Sequence, residues 1–358
     1  MYDARMALLY ALALPIMVAG CAASAGTVMP ASSPNPARLA EKHLLVLENN
    51  LVVVGISPRL AGRVVVLRTP AGANILAANP PFWAPDAKLP ELKGSWDYPA
   101  VNGHVIWNGP QRDWWLYQDI SAEWRANKYN WPPDPWVEFA PYEVVKKTRT
   151  SVLLRGPASP VTGLRMTKEV SLERDGTVTF RVTAENTRAT EVSWDLWSNL
   201  RLVPSGQVRV PMTDGGLKVE HGSSNPWKQA VLGYDVVDGW FGFLSGEPIP
   251  PGKECRVAKA FLTPSDELMV ALLPGQALVR RFTATPRESV HPDHGVVEVF
   301  QMVNRDPALS LLEAEFHGPL RTLKPGASMA MEESWRILLR TGDETAEKTF
   351  LKNLPKTR

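Results

Sequence analysis

From Leu44 onward the apolar residues of this chain recur mostly at alternate positions, in short runs closed by Gly, Pro, Asn or Asp. A period of two sends successive side chains to opposite faces of a strand, so the pattern predicts half-buried β-strands. In LLVLENNLVVVGISP two such runs flank Glu48, Asn49 and Asn50, which predicts an opening hairpin. In LRMTKEVSLERDGTVTFRVTAENT the pair Asp175-Gly176 stands between alternating runs and predicts another. Further strands are expected in RVVVL, YEVVKKTRTSVLLRGP, EVSWDLWSNLRLVPSGQVRVP, QALVRRFTAT, VVEVFQMV, SLLEAEF and MAMEESWRILLR, whereas only TAEKTFLKNL reads as a helix. The sum predicts an all-β protein, a large antiparallel β-sandwich spanning residues 38–358. One segment breaks the rhythm: ANPPFWAPDAKLPELKGSWDYPAVNG is Pro-rich and shows no strand pattern, and loops of that length inside domains usually serve function.

The beginning of the chain follows other rules. MALLYALALPIMVAG is apolar but short for a membrane span, so residues 1–20 are expected to be a signal peptide. VAGC, Val18 to Cys21, resembles the lipobox of bacterial lipoproteins, where the cysteine thiol receives diacylglycerol. The resemblance implies a lipid anchor on Cys21, and the alternative is an ordinary secretory signal cleaved nearby. Ala22 stands where an aspartate would favour the inner membrane, which implies attachment to the outer membrane facing the periplasm. Residues 21–37, rich in small residues and proline, read as a flexible tether. With Cys21 lipidated, Cys255 has no disulfide partner and is expected to be packed and inert.

Charge narrows the partners. Lys+Arg total 39 against 37 Asp+Glu, a formal +2 with no long run of one sign, so nucleic acid is not an expected partner. The 13 tryptophans change the picture more. In GHVIWNGPQRDWW and YNWPPDPWVEF, Trp107, Trp114, Trp115, Trp131 and Trp136 alternate with Asn108, Gln111, Arg112 and Asp113. Sugars lay their C–H faces on indole planes and send hydroxyls to such polar groups, so the block is expected to form a carbohydrate cleft. Packing between sheets is the competing reading for any single tryptophan. Arg112 and Asp113 are expected to pair with each other. Asp195, between Trp194 and Trp197, is either buried on a backbone donor or displayed to a ligand. HPDHG, His291 to Gly295, reads as a turn rather than a metal site, and His317 as a structural histidine. No P-loop, dinucleotide fingerprint, nucleophile elbow or Cys/His zinc signature is present, so no cofactor and no metal are expected.

Several phrases together resemble the aldose 1-epimerase-like, or galactose mutarotase-like, superfold. ISPRLAGRVVVL is similar to its opening strand, EVSWDLWSNLRLVPSGQVRVP to its central sugar-facing strand, and LLEAEFHGPLRTLKPGASMAMEESWRIL to its close. With GHVIWNGPQ and NWPPDPW added, the chain is most similar to an uncharacterised bacterial branch, domain of unknown function 4380. The resemblance implies a sugar-binding cleft with Arg63 pointing into it. In the epimerases a histidine acid and a glutamate base exchange the anomeric proton. The glutamate strand offers Glu313 and Glu315, which share a face at period two. The central strand carries Ser198 and Asn199 where the histidine stands, which removes the acid and leaves Asn199 as a ligand contact, with His104 as a possible replacement for the acid. The expectation is an envelope lipoprotein that binds a carbohydrate without catalysis. The alternatives are an active epimerase or related sugar-processing enzyme using His104 with Glu313 or Glu315, and a non-catalytic envelope scaffold.

Overall fold

Along Val178–Asn186 the side chains of Val178, Phe180, Val182, Ala184 and Asn186 are buried, while those between them are half-buried or exposed. That alternation recurs in the neighbouring strand Leu164–Leu172, while Val53–Ser57, Arg63–Arg68 and His104–Gly109 are buried throughout; together the strands build an almost entirely β architecture. The computed structural model describes residues 41–221, 228–340 and 344–354. Residues 1–20, the tether and Cys21 lie outside the described residues.

Two antiparallel sheets form. The first runs, neighbour by neighbour, through Leu45–Glu48, Val53–Ser57, Arg63–Arg68, His104–Gly109, Val192–Leu202, Leu311–His317, Val297–Asn304 and Cys255–Pro264. The second runs through Glu143–Lys147, Ser151–Ala158, Leu164–Leu172, Val178–Asn186, Ser328–Leu339, Gln276–Phe282 and Leu268–Leu273. The strand Gln207–His221 belongs to both, pairing first with Leu268–Leu273 and later with Cys255–Pro264. Both predicted hairpins form, and Gly176 adopts the positive φ of 85° that its turn requires. The predicted C-terminal helix is Glu344–Lys352.

Some strands were not legible. Leu268–Leu273 is buried at every position, so it shows a continuous apolar run in place of alternation. Cys255–Pro264 and the short strands Gln229–Val231, Tyr234–Val237 and Trp240–Phe243 also lacked a clean signal. Cys255 is a buried free thiol, as expected.

The sheets pack face to face. Phe282 of the second stacks on Phe316 of the first with ring centroids 4.5 Å apart, and His104 of the first meets Phe180 and Trp335 of the second at 4.4 and 4.8 Å. This interior also holds polar groups. His104 Nε2 lies 2.8 Å from Ser198 Oγ and 2.9 Å from Glu333 Oε1. Arg280 Nε and Trp335 Nε1 donate to Glu333 Oε2 at 2.5 and 2.6 Å. Burial works against charge on Glu333, yet Arg280 and His104 outweigh it and hold the carboxyl well below its usual range. Burial pushes His104 down to about 4.

Lys168 is a second buried charge. It lies on the inner face of Leu164–Leu172, and its ammonium donates to the Ala61 carbonyl at 2.8 Å. Burial, with Arg63 adding repulsion, pushes it down to about 7. A lysine whose folded pKa is lowered penalises folding fully below that value, and the penalty fades as pH climbs toward the unfolded lysine value of about 10.4. Lys168→Met is therefore expected to raise the melting temperature most at about pH 6 and least near pH 10. No gain at the lower pH, or an equal gain at both, would contradict this.

Candidate functional site

Cross-strand register decides which side chains of the first sheet share a face, because directly opposed residues point the same way. His104 pairs with Leu200, and Leu200 with Ala314; Val105 pairs with Asn199, and Asn199 with Glu315. His104 therefore faces the second sheet, while Asn199 and Glu315 face away from it. The convergence of His104 with Glu313 or Glu315 on which the epimerase alternative depends does not occur. Ser198 shares the interior face with His104.

The outward face carries a continuous charged row. From the central strand Val192–Leu202 come Asp195, Trp197, Asn199 and Arg201; from its neighbours come Glu313, Glu315 and His317, then Glu298, then Lys259. Arg201 Nε donates to Glu313 Oε1 at 2.8 Å, and its guanidinium lies over Trp107 at 5.5 Å. Asn199 Nδ2 donates to Glu315 Oε1 at 2.8 Å, while Asn199 Oδ1 is buried without a hydrogen-bond partner. The Lys259 ammonium bridges Glu298 Oε2 at 2.5 Å and Glu315 Oε2 at 2.9 Å, above the Trp197 ring. Asp195 accepts the Gly109 N–H at 2.9 Å and faces His317 Nδ1 at 3.3 Å, so it is buried on a backbone donor.

Electrostatics within the row follow from these neighbours. Burial raises the Glu315 carboxyl above its usual range; Lys259 opposes this, and the nearby Glu313 and Glu298 reinforce it. Burial disfavours charge on His317, but Asp195 and Glu298 outweigh it and raise the imidazole above its ordinary value. Burial likewise works against Glu298, yet Lys259 and His317 hold its carboxyl low.

Beside the Arg201 end lies a cavity of about 620 Å³. Asn74, Asn102, Trp83, Arg68 and Ser310 are among its lining residues. Asn102 Oδ1 accepts from Arg201 Nη1 at 3.4 Å and so joins cavity to row. The Trp83 indole N–H, buried, has no acceptor. Trp83 comes from the Pro-rich excursion between Arg68 and His104. Two isolated bridges hold that excursion: Leu76 to Leu202 ties it to the central strand, and Ala78 to Asn102 joins its two ends.

The tryptophan block turns out differently from its expected role as an open platform. Trp107, Trp114, Trp115 and Trp131 are 0–7% exposed and belong to the main hydrophobic core. Trp107 donates to Glu138, Trp114 to the Asn108 carbonyl at 2.5 Å and Trp115 to the Pro132 carbonyl at 2.6 Å. Only Trp136 of the five is half-buried. Asn108 and Gln111 are also buried, Asn108 donating to the Asp195 carbonyl at 3.3 Å and Gln111 to the Asn130 carbonyl at 3.2 Å. Gln111 thus bonds within the block and Asn108 ties it to the central strand, so these two amides serve packing rather than an open sugar cleft. Arg63 does point to the outward face, but the short helix Pro135–Glu138 covers it: Arg63 donates to the Asn102 carbonyl at 2.8 Å and ion-pairs with Glu138.

HPDHG forms a turn, with the His294 N–H donating to the His291 carbonyl at 2.9 Å. Arg112 reaches Asp293 at 3.1 Å and stands 3.8 Å from Asp113, so its tighter partner is across the turn rather than next in sequence. His294 turns inward, with Nδ1 3.1 Å from Glu298 Oε1 and its ring stacked on His317 at 4.2 Å. His317 is thus part of a cluster. Its place two residues after Glu315 already put it on the charged face. Lys259 had no comparable signal because its strand was not recognised.

The comparisons agree with this architecture. A family model described as a domain of unknown function (DUF4380) matches residues 43–338. No curated protein matches the chain. Among solved structures, a galactose mutarotase-like protein from Lactobacillus casei ATCC 334 is similar with a TM-score of 0.52 at 12% identity, covering 82% of this chain and 100% of that one. The Slr1438 protein from Synechocystis sp. PCC 6803 is similar with a TM-score of 0.51 at 13% identity, covering 83% and 96%. A TPR-domain containing protein from Parabacteroides distasonis ATCC 8503 gives a TM-score of 0.51 at 16% identity; 85% of this chain is covered, but only 48% of that protein, so this chain spans about half its length. These likenesses establish a galactose mutarotase-like fold.

Proposed function

The chain belongs to the family described as a domain of unknown function (DUF4380), and we propose that this member binds a carbohydrate in the cavity at the Arg201 end of the outward face, as a lipoprotein of the cell envelope anchored through Cys21. The observation that carries the reading is the cavity itself. At about 620 Å³ it is of ligand size, and it combines an indole with amide, hydroxyl and guanidinium groups. Trp83 lends its indole to the cavity wall, and Asn102 links the cavity to the Arg201–Glu313 pair. Catalysis is not part of this reading, since His104 is committed to Glu333 and Ser198 between the sheets.

Asn102 has a φ of 61°, so glycine keeps its backbone while removing the amide. On a glycan array probed with full-length protein in detergent, the wild type is expected to retain at least one glycan. Asn102→Gly and Glu313→Gln are expected to weaken it about tenfold, equivalent to about 1.4 kcal/mol. Asn102→Gly should leave the melting temperature nearly unchanged, whereas Glu313→Gln, which leaves Arg201 buried without its carboxylate, should lower it, so its binding is read on the folded protein. An array with no retained glycan, or variants that bind as the wild type does, would sink the proposal and leave the scaffold reading.

A further inference from the structure

The inward turn of His294 creates an arrangement that sugar binding does not use. His294, Glu298 and His317 each present a ligand atom, and these atoms all lie within 4.8 Å of one another among buried side chains. His294 Nδ1 and His317 Nε2 approach the same oxygen, Glu298 Oε1, at 3.1 and 3.5 Å. A tetrahedral zinc ion about 2.1 Å from each of its ligands separates those ligands by roughly 3.4 Å, so the two distances already have the right scale. His317 Nε2 is buried with no hydrogen-bond partner. From the geometry we infer a transition-metal site, suited to zinc, formed by His294, Glu298 and His317.

The surroundings support the assignment independently. Metal-bound histidines usually give their other ring nitrogen to a carboxylate, which fixes the ring and strengthens the ligand. His317 does this: Nδ1 faces Asp195 Oδ2 at 3.3 Å, leaving Nε2 directed at Glu298. Glu298 Oε1 is itself oriented by the Gly295 N–H at 2.8 Å. The Lys259 ammonium lies on the opposite oxygen, Oε2, and on Glu315, so it does not occupy the point between the imidazoles. Two imidazoles and one carboxylate favour zinc or a similar ion over magnesium or calcium, which take oxygen ligands. Three protein ligands leave a fourth position for water or another ligand. The site uses His294 of HPDHG but neither His291 nor Asp293. Their chain proximity, which drew attention to that turn, does not identify the ligands.

The experiment uses tag-free, metal-stripped full-length protein titrated with zinc ion alone, followed by calorimetry and by elemental analysis after dialysis. One zinc per chain is expected, lost in His317→Ala and in His294→Ala, and kept in His291→Ala. Asp195→Asn should weaken binding by about tenfold or more, because it removes the group that orients His317. Circular dichroism of each variant separates lost binding from lost fold. Should an alanine variant unfold, cobalt substitution of the wild type decides: a tetrahedral cobalt spectrum with imidazole ligands supports the site. Wild type that holds no zinc, zinc retained by folded His317→Ala and His294→Ala, or an octahedral cobalt spectrum overturns it. The result is independent of glycan binding, which is read on a separate array.

Discussion

Glu333→Ala is expected to destabilise the fold by about 3–5 kcal/mol, among the largest effects of any single change, because it strips the carboxylate from a buried ion pair and leaves the cation behind. Glu333 and Arg280 are 1–2% exposed, and Arg280 Nη1 donates to the Ala314 carbonyl at 2.6 Å, which holds the guanidinium in place between the sheets. Without Glu333 the donors on Arg280, Ser198 and Trp335 lose a common acceptor. Denaturant unfolding of the full chain measures the loss, and a cost under about 1 kcal/mol would show that the cluster relaxes or hydrates. The paired change Glu333→Leu with Arg280→Met should cost much less than the sum of its parts, because it removes both charges together. His104 belongs to the same cluster, so His104→Ala should lower stability and leave glycan binding by the folded fraction unchanged.

That cluster also marks where sequence reading stops. Period two places Glu313, Glu315 and His317 on one face of their strand, and Asp195, Trp197, Asn199 and Arg201 on one face of theirs; both groupings are legible in the sequence and hold in the structure. What the period does not supply is how one strand registers against the next. His104 and Val105 are equally available to face a ligand until the pairing of Val105 with Asn199 assigns the even position to the interior. A one-residue uncertainty thus moved the candidate acid to the wrong side of the sheet. Lys259 and Glu298 were hidden for a related reason. They enter the row only through the pairings of Cys255–Pro264 with Val297–Asn304 and of Val297–Asn304 with Leu311–His317, contacts between segments far apart in the chain. The length of the Pro-rich excursion sets it apart in the sequence, and in the structure it brings Trp83 and Asn102 to the cavity, whereas four of the tryptophans that follow it pack in the core.

Trp115→Ala is expected to cost about 3–5 kcal/mol of stability, the amount typical of truncating a core aromatic and leaving a cavity. Trp115 is fully buried, its N–H is bound to the Pro132 carbonyl, and its ring meets Trp124 at 4.3 Å. A wall of edge-on and tilted contacts extends from Trp107 through Trp114 to Trp131 and Trp197. Such a wall stabilises the long connection that must lie over the charged face, since a segment without strands has few backbone ladder bonds to hold it. Truncation there should release the cover and expose the row. Trp136, half-buried, offers the contrast: Trp136→Ala should cost far less. Melting temperature and near-ultraviolet circular dichroism on both variants distinguish the cases. If Trp115→Ala melts with the wild type, the block is not a core and its tryptophans return as candidates for contact with sugar.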